Sequence, residues 1–163
     1  MAQTRAQRLK FLDYRLWAFP FGLVLLFFGT VYLCAWSGLY LLIETGHWHK
    51  PVLGVDVVSA FERASSFFIV RLLMAGVLAP LGLILCAFRK PAGLVAFSLA
   101  TLAHISLWVQ LATGLYYQGQ FGAVFVFIEI LGLVMIGAIL LVTEDTPRLK
   151  RTSRIPSRPG QGR

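Results

Sequence analysis

The sequence predicts an all-α polytopic membrane protein, a bundle of four transmembrane helices with both termini in the cytoplasm. Three observations predict it. There are four apolar runs, at 16–43, 64–88, 91–117 and 121–142, and each reaches the ~20 helical residues that cross a bilayer core. Apolar residues make up 58% of the chain and its mean hydropathy is +0.75, against roughly 45–50% in soluble domains, and the excess lies in those runs. The third observation is the placement of the +8 net charge. Arg5, Arg8, Lys10 and Arg15 precede the first run, Arg89 and Lys90 part the second from the third, and Arg148, Lys150, Arg151, Arg154, Arg158 and Arg163 follow the fourth. Alternating helices put all of these on one side. The other side carries Lys50 and Arg63 beside Glu44, Asp56 and Glu62. The positive-inside rule makes the basic side cytoplasmic. The basic tail then reads as a lipid-headgroup contact, and no nucleic-acid partner is expected.

Residues 1–15 form a basic amphipathic segment in which Arg8 and Lys10 alternate with Leu9, Phe11 and Leu12, which suits a short interfacial helix. The first run is too long for a signal-peptide core and ends without a small-residue cleavage site, so it is expected to remain as the first span. Tyr14 and Trp17 fall at its inner end, Tyr40 and Trp48 at the outer, and Tyr116 and Tyr117 at the outer end of the third span, as aromatic belts do. The one long loop, 44–63, carries Gly46, Pro51 and Gly54, and Ser59-Ala60-Phe61-Glu62 reads as a capping box from which the second span starts. Val52, Val55, Val57 and Val58 are placed on the membrane surface. The links Arg89-Lys90-Pro91 and Gln118-Gly119-Gln120 are short, so two antiparallel pairs pack as neighbours. Pro91 suits a first turn, and Pro80 removes a backbone bond midway along the second span and should kink it. The transmembrane domain is thus 16–142. The Arg/Pro/Ser/Gly-rich tail at 143–163 lacks the apolar content to bury a core and is expected to be disordered.

Cys34 and Cys86 fall at opposite depths, on the order of 20 Å apart along the helices, too far for a disulfide. Small residues recur where helices would touch: Ala75 and Ala79, Ala96 and Ala100, and Gly22 and Gly29 on one face of the first span.

Four polar residues inside the spans are the candidate ligand-binding set: Arg71, His104, Gln110 and Glu129. Charges there are costly and face a partner or a wet cavity. Arg71 and Glu129 stand at one depth, roughly 10–12 Å below the outer surface by helical rise, which argues for an ion pair across the second and fourth spans. That pair either fixes packing or forms a functional polar pocket; alternatively Arg71 snorkels alone. His104, mid-span, either bonds a neighbouring helix or titrates and bonds a quinone carbonyl. A bis-histidine haem needs a second intramembrane histidine, which the sequence lacks. His47 and His49 in the outer loop are weak metal candidates that need a third ligand. No HExxH, phosphate loop or Ser–His–Asp constellation stands in the sequence, and no residue is nominated as catalytic.

The chain resembles the DoxX family of small four-helix membrane proteins. The resemblance rests on Arg15…Gly22-Leu-Val-Leu-Leu-Phe-Phe-Gly29-Thr-Val-Tyr32, on Gly76…Leu81-Gly82-Leu83 followed by Arg89-Lys90 and Ala92-Gly93-Leu94, and on Gly119-Gln120-Phe121 with Glu129 beyond. Tyr32 stands where the family has a lysine. The resemblance implies a bacterial inner-membrane protein whose relatives include subunits of quinone-linked redox complexes and maturation factors for periplasmic enzymes. The leading expectation is a non-catalytic accessory subunit of a membrane complex, with a quinone as the cofactor in view and other membrane subunits as partners. The alternatives are a small-solute transporter or permease component using Glu129 as a protonatable site, and a lipid- or isoprenoid-modifying enzyme, for which a second acid/base group is missing.

Overall fold

A computed structural model of the chain describes residues 5–52, 56–113 and 121–152, with side chains over 17–52, 56–113 and 122–140. It is all-helical, with elements α1 (Arg5–Glu44), α2 (Val57–Glu62), α3 (Ser66–Ala87), α4 (Pro91–Thr113) and α5 (Phe121–Thr152). Four stretches are long and apolar enough to cross a membrane: Trp17–Glu44, Ser66–Ala87, Pro91–Thr113 and Gly122–Leu140. In the most apolar part of each, only 28–33% of residues are buried. Trp17, Phe67, Phe88 and Phe127 are each more than three-fifths exposed. Apolar surface on this scale belongs against lipid.

The long helices form a ring in which α1 packs on α3 and α5, and α4 packs on α3 and α5. Neighbours run antiparallel, and small residues set their approach. On the α1–α5 seam, a Cβ at Gly22 would stand 2.9 Å from Ile136 Cγ1, and one at Gly132 would stand 2.7 Å from Leu26 Cδ2. On the α3–α4 seam the obstacle is backbone: Gly93 would meet Cys86 N at 2.5 Å, and Gly82 would meet Phe97 N at 2.7 Å. Ala75, Ala79, Phe97, Ala100, Leu26, Leu33 and Ile136 fill the middle of the ring.

Pro80 lies inside α3 and has no N–H for the carbonyl of Gly76 one turn earlier. Cys34 of α1 turns its thiol to that carbonyl, Sγ to O 3.5 Å, and a turn away Ser37 Oγ donates to Leu72 O at 2.9 Å. Both bonds cross the α1–α3 seam. Cys34 and Cys86 are both free thiols.

Helix ends correct several expectations. The basic N-terminal segment is not a separate interfacial helix, because α1 is continuous from Arg5 through the first span. α1 stops where Gly46 takes φ 74°, with Gly46 N bonded to Ile43 O and His47 N to Leu42 O. α3 ends the same way around Arg89, φ 56°, with Lys90 N bonded to Leu85 O and Arg89 N to Cys86 O. Both are the paired bonds of a Schellman stop. Arg89 also lies over the Phe19 ring of α1, 4.9 Å from its centroid.

The capping box at Ser59 does not start the second span. α2 is a separate short helix capped by Asp56, and α3 starts later, where Ser65 Oγ accepts from Phe68 N at 3.2 Å. Asp56 and Ser65 each stand just ahead of a first helical turn whose N–H groups need acceptors. α5 continues to Thr152, beyond the point where composition alone places the start of disorder. The Tyr116–Tyr117 belt, the 118–120 link and the end of the tail lie outside the described residues.

The Asp56 carboxylate accepts from Ser59 N at 3.2 Å and from Ser59 Oγ at 2.6 Å. Those bonds, the hydroxyl's first, hold its pKa below the ordinary aspartate value. The contribution to α2 is therefore complete above the ordinary aspartate range and is lost as pH falls through the lowered value. Protection of the Ser59 amide, its exchange rate relative to an unstructured amide at the same pH, should hold down to that range and fall only below it. Asp56→Asn should abolish that fall, and protection that does not change across the range would remove Asp56 as its cap.

Candidate functional site

The site is built where α1, α4 and α5 meet. Glu129 on α5 is fully buried, and His104 on α4 is 4% exposed. His104 Nδ1 and Glu129 Oε1 are 2.8 Å apart. This is the one ion pair found among the described residues, and one proton between the two atoms satisfies both. Glycine makes the room: a Cβ at Gly29 of α1 would come within 2.5 Å of Glu129 Cγ. Tyr32, one turn along α1 from Gly29, lays its ring against the imidazole at 5.3 Å between centroids and stacks on Phe125 of α5 at 4.1 Å. The imidazole is thus fixed on one edge by a carboxylate and on one face by an aromatic ring. A partner that orients the first nitrogen of a histidine leaves the second available for other work.

The second edge is on a cavity. About 510 Å³ of space lies between the helices and under α2, lined by His104, Tyr32, Trp36, Phe61, Phe68 and Trp108 among others. Its exposed lining residues Asp56, Arg63 and Gln110 mark the mouth. α2 closes it from above, with Val57 and Phe61 packed on Phe68, Leu72 and Leu107. His104 Nε2 makes no hydrogen bond among the described residues. Trp108 stands one helical turn from His104 on the same face of α4, and its buried indole Nε1 has no acceptor. Its pyrrole edge rests on Gly122 of α5, where a Cβ would meet Cδ1 at 2.4 Å. Thr101 Oγ1 and Glu129 Oε2 are likewise buried without a partner. Buried polar atoms are nearly always bonded, so three orphans around one imidazole mark this region as unusual.

The expected ion pair between Arg71 and Glu129 does not form. α3 and α5 sit across the ring from each other with α1 and α4 between. Arg71 instead lies on the α3–α4 seam. Nε donates to Phe67 O at 3.2 Å, Nη1 donates to Ser106 Oγ at 3.0 Å, and Nη2 donates to Gln110 Oε1. The four nominated residues are therefore two separate groups, His104 with Glu129 and Arg71 with Gln110, and Gln110 alone of the second group reaches the cavity. His47 and His49 are exposed, His47 Nδ1 lies 2.9 Å from Thr45 Oγ1, and no group of three metal-ligating side chains exists among the described residues.

Sequence reasoning missed Tyr32 and Trp108 as site residues, and it missed the true partner of each buried polar group. The signal for Trp108 was its spacing of four from His104. The His104–Glu129 pair follows from how α4 and α5 pack and rotate against each other, which residue counts along each helix do not give. Comparison with protein-family models, curated proteins and solved structures finds no match to the chain.

Proposed function

We propose that this chain is a non-catalytic binding subunit of a membrane complex, of DoxX-like architecture, and that its cavity takes the ring of a quinone. The observation that carries the reading is the edge of His104, buried, oriented by Glu129 and turned to an aromatic-lined cavity of about 510 Å³. That size is ordinary for a small-molecule site, and such sites combine apolar walls with a few placed polar groups. The residues fit the group. His104 and Trp108 stand four residues apart on one face of α4, about 6 Å along its axis, and each carries a ring N–H or nitrogen that no protein group bonds among the described residues. Trp108 can only donate a hydrogen bond, whereas His104 donates or accepts with its tautomer.

A bound quinone would supply two carbonyl acceptors and a ring that carries electrons. Glu129 holds Nδ1 so that Nε2 faces the ring edge, Tyr32 keeps the imidazole from turning, and α2 shuts water out from above. Glu129 reaches the cavity through His104, which favours a supporting carboxyl over a solute-carrying one and so favours this reading over a transporter. The Lys/Arg asymmetry supports a bacterial inner-membrane orientation with cytoplasmic termini and the cavity mouth on the periplasmic side.

The test is a quinone-analogue titration of the purified full chain, followed by quenching of its tryptophan fluorescence. His104→Asn keeps a nitrogen on Cγ for Glu129 and removes the one facing the cavity. We expect analogue affinity to fall by about tenfold or more, the equivalent of one hydrogen bond to the ligand, with the bundle still folded. Absence of saturable binding by the unmodified protein, alone or with co-purified subunits, would end the quinone reading.

A further inference from the structure

Among the described residues, Arg71 is a cation without a counter-ion. It lies within a span, and no carboxylate stands within 4.0 Å of it among the described residues. Its three hydrogen bonds go to neutral oxygens on Phe67, Ser106 and Gln110. A guanidinium has five N–H groups, so two remain, one on each Nη. These are the fork that grips a phosphate or carboxylate. A lone cation in an apolar span is costly, and lipid or ligand must supply what the chain does not.

Depth identifies the source. Arg71 stands six residues inside the Ser65 cap, about 9 Å along the axis. Its Nε bond to Phe67 O carries the side chain one turn back toward the helix start. The guanidinium lies over the Phe67 ring, 4.3 Å from its centroid, and reaches Gln110, one turn from the end of α4 at Thr113. That is about one helical turn from the helix ends on the side of the 45–65 loop, within the reach of an arginine that snorkels to lipid headgroups. The surroundings are those of lipid: Phe67 is 68% exposed. Deeper on the same face of α3, Met74 and Leu78 join Val70, Leu73 and Val77 in a shallow apolar trough of about 400 Å³.

We infer that Arg71, positioned by Ser106 and Gln110, binds the phosphate of an anionic phospholipid whose acyl chain lies along the α3 trough. Arg71 is not among the residues lining the cavity, although its partner Gln110 stands at the mouth, and the inference does not rest on the quinone reading.

Native mass spectrometry of the full chain with added phosphatidylglycerol tests it, with a neutral galactosyl diacylglycerol as the phosphate-free comparison. The unmodified chain should retain one phosphatidylglycerol more tightly than the glycolipid. Arg71→Gln should weaken that adduct by about tenfold or more, the value of a charge-assisted bond. Arg71→Lys should weaken it less, and Lys90→Gln, a basic residue at the other end of α3, should leave it intact. Unchanged binding by Arg71→Gln would overturn the proposal. So would equal retention of the glycolipid by the unmodified chain, a comparison that stands even if the variant does not fold. Displacement of the lipid by inorganic phosphate would overturn the lipid assignment in favour of a soluble anion.

Discussion

Replacing His104 and Glu129 together by leucine should cost the protein much less than the two single replacements added. His104→Leu strands a fully buried carboxyl with neither oxygen bonded, and breaking a buried pair from one side costs about 3–5 kcal/mol. Glu129→Leu strands the Nδ1 of a buried imidazole, a loss of about 1–3 kcal/mol. The double variant leaves neither group unpaired, so the coupling should be about 1–3 kcal/mol. Unfolding of the four proteins in mixed micelles, followed by tryptophan fluorescence, measures it. Additivity to within about 0.5 kcal/mol would mean that the two side chains act separately and that the imidazole is not held by the carboxyl. The order of the singles is also fixed by this account: removing the histidine should be the worse change.

Gly93→Ala should be the most damaging single-methyl addition in the helix seams. The new Cβ would lie 2.5 Å from Cys86 N and 2.8 Å from Leu85 C. Those are backbone atoms, and they yield only if α3 and α4 separate along the hairpin. Overpacking of this kind costs about 1–3 kcal/mol. Gly22→Ala meets a flexible side-chain carbon, Ile136 Cγ1 at 2.9 Å, before it meets backbone, and should cost less. Gly38→Ala meets nothing within 4 Å and should stabilise α1 by up to about 1 kcal/mol, the helix-propensity difference between the residues. Melting temperatures in one detergent would rank the three. A Gly93→Ala protein as stable as Gly38→Ala would show that the two helices do not touch through this glycine.

Hydrophobicity is a property of each segment by itself, which is why the membrane architecture was legible before any coordinates. A run such as 64–88 must find lipid or protein whichever neighbours it has, and it can satisfy its backbone only as a helix. Local chemistry was legible in part. The Arg89-Lys90-Pro91 link did make a tight hairpin, and Gly22 and Gly29 did face another helix. The capping box at Ser59 was a sound local pattern that lost to a better acceptor, Asp56, whose carboxylate takes both the amide and the hydroxyl of that serine.

What the tertiary structure alone decided is which polar group meets which. Arg71 and Glu129 were correctly found as charges within the spans, yet they do not pair. Depth is one coordinate, read from residue counts at 1.5 Å per residue. The other two are the direction a side chain points around its helix and the place of that helix in the ring, and an apolar-all-round span encodes neither strongly. Packing at Gly29 draws α1 onto α5 and leaves Glu129 facing inward to His104. The α3–α4 seam, closed by Gly82 and Gly93, holds Arg71 against Ser106 and Gln110. The sequence by itself determined that charges would be buried in a four-helix membrane bundle. Close helix approach, set by residues with no side chain at all, decided which carboxyl orients which imidazole and which arginine is left with neutral partners.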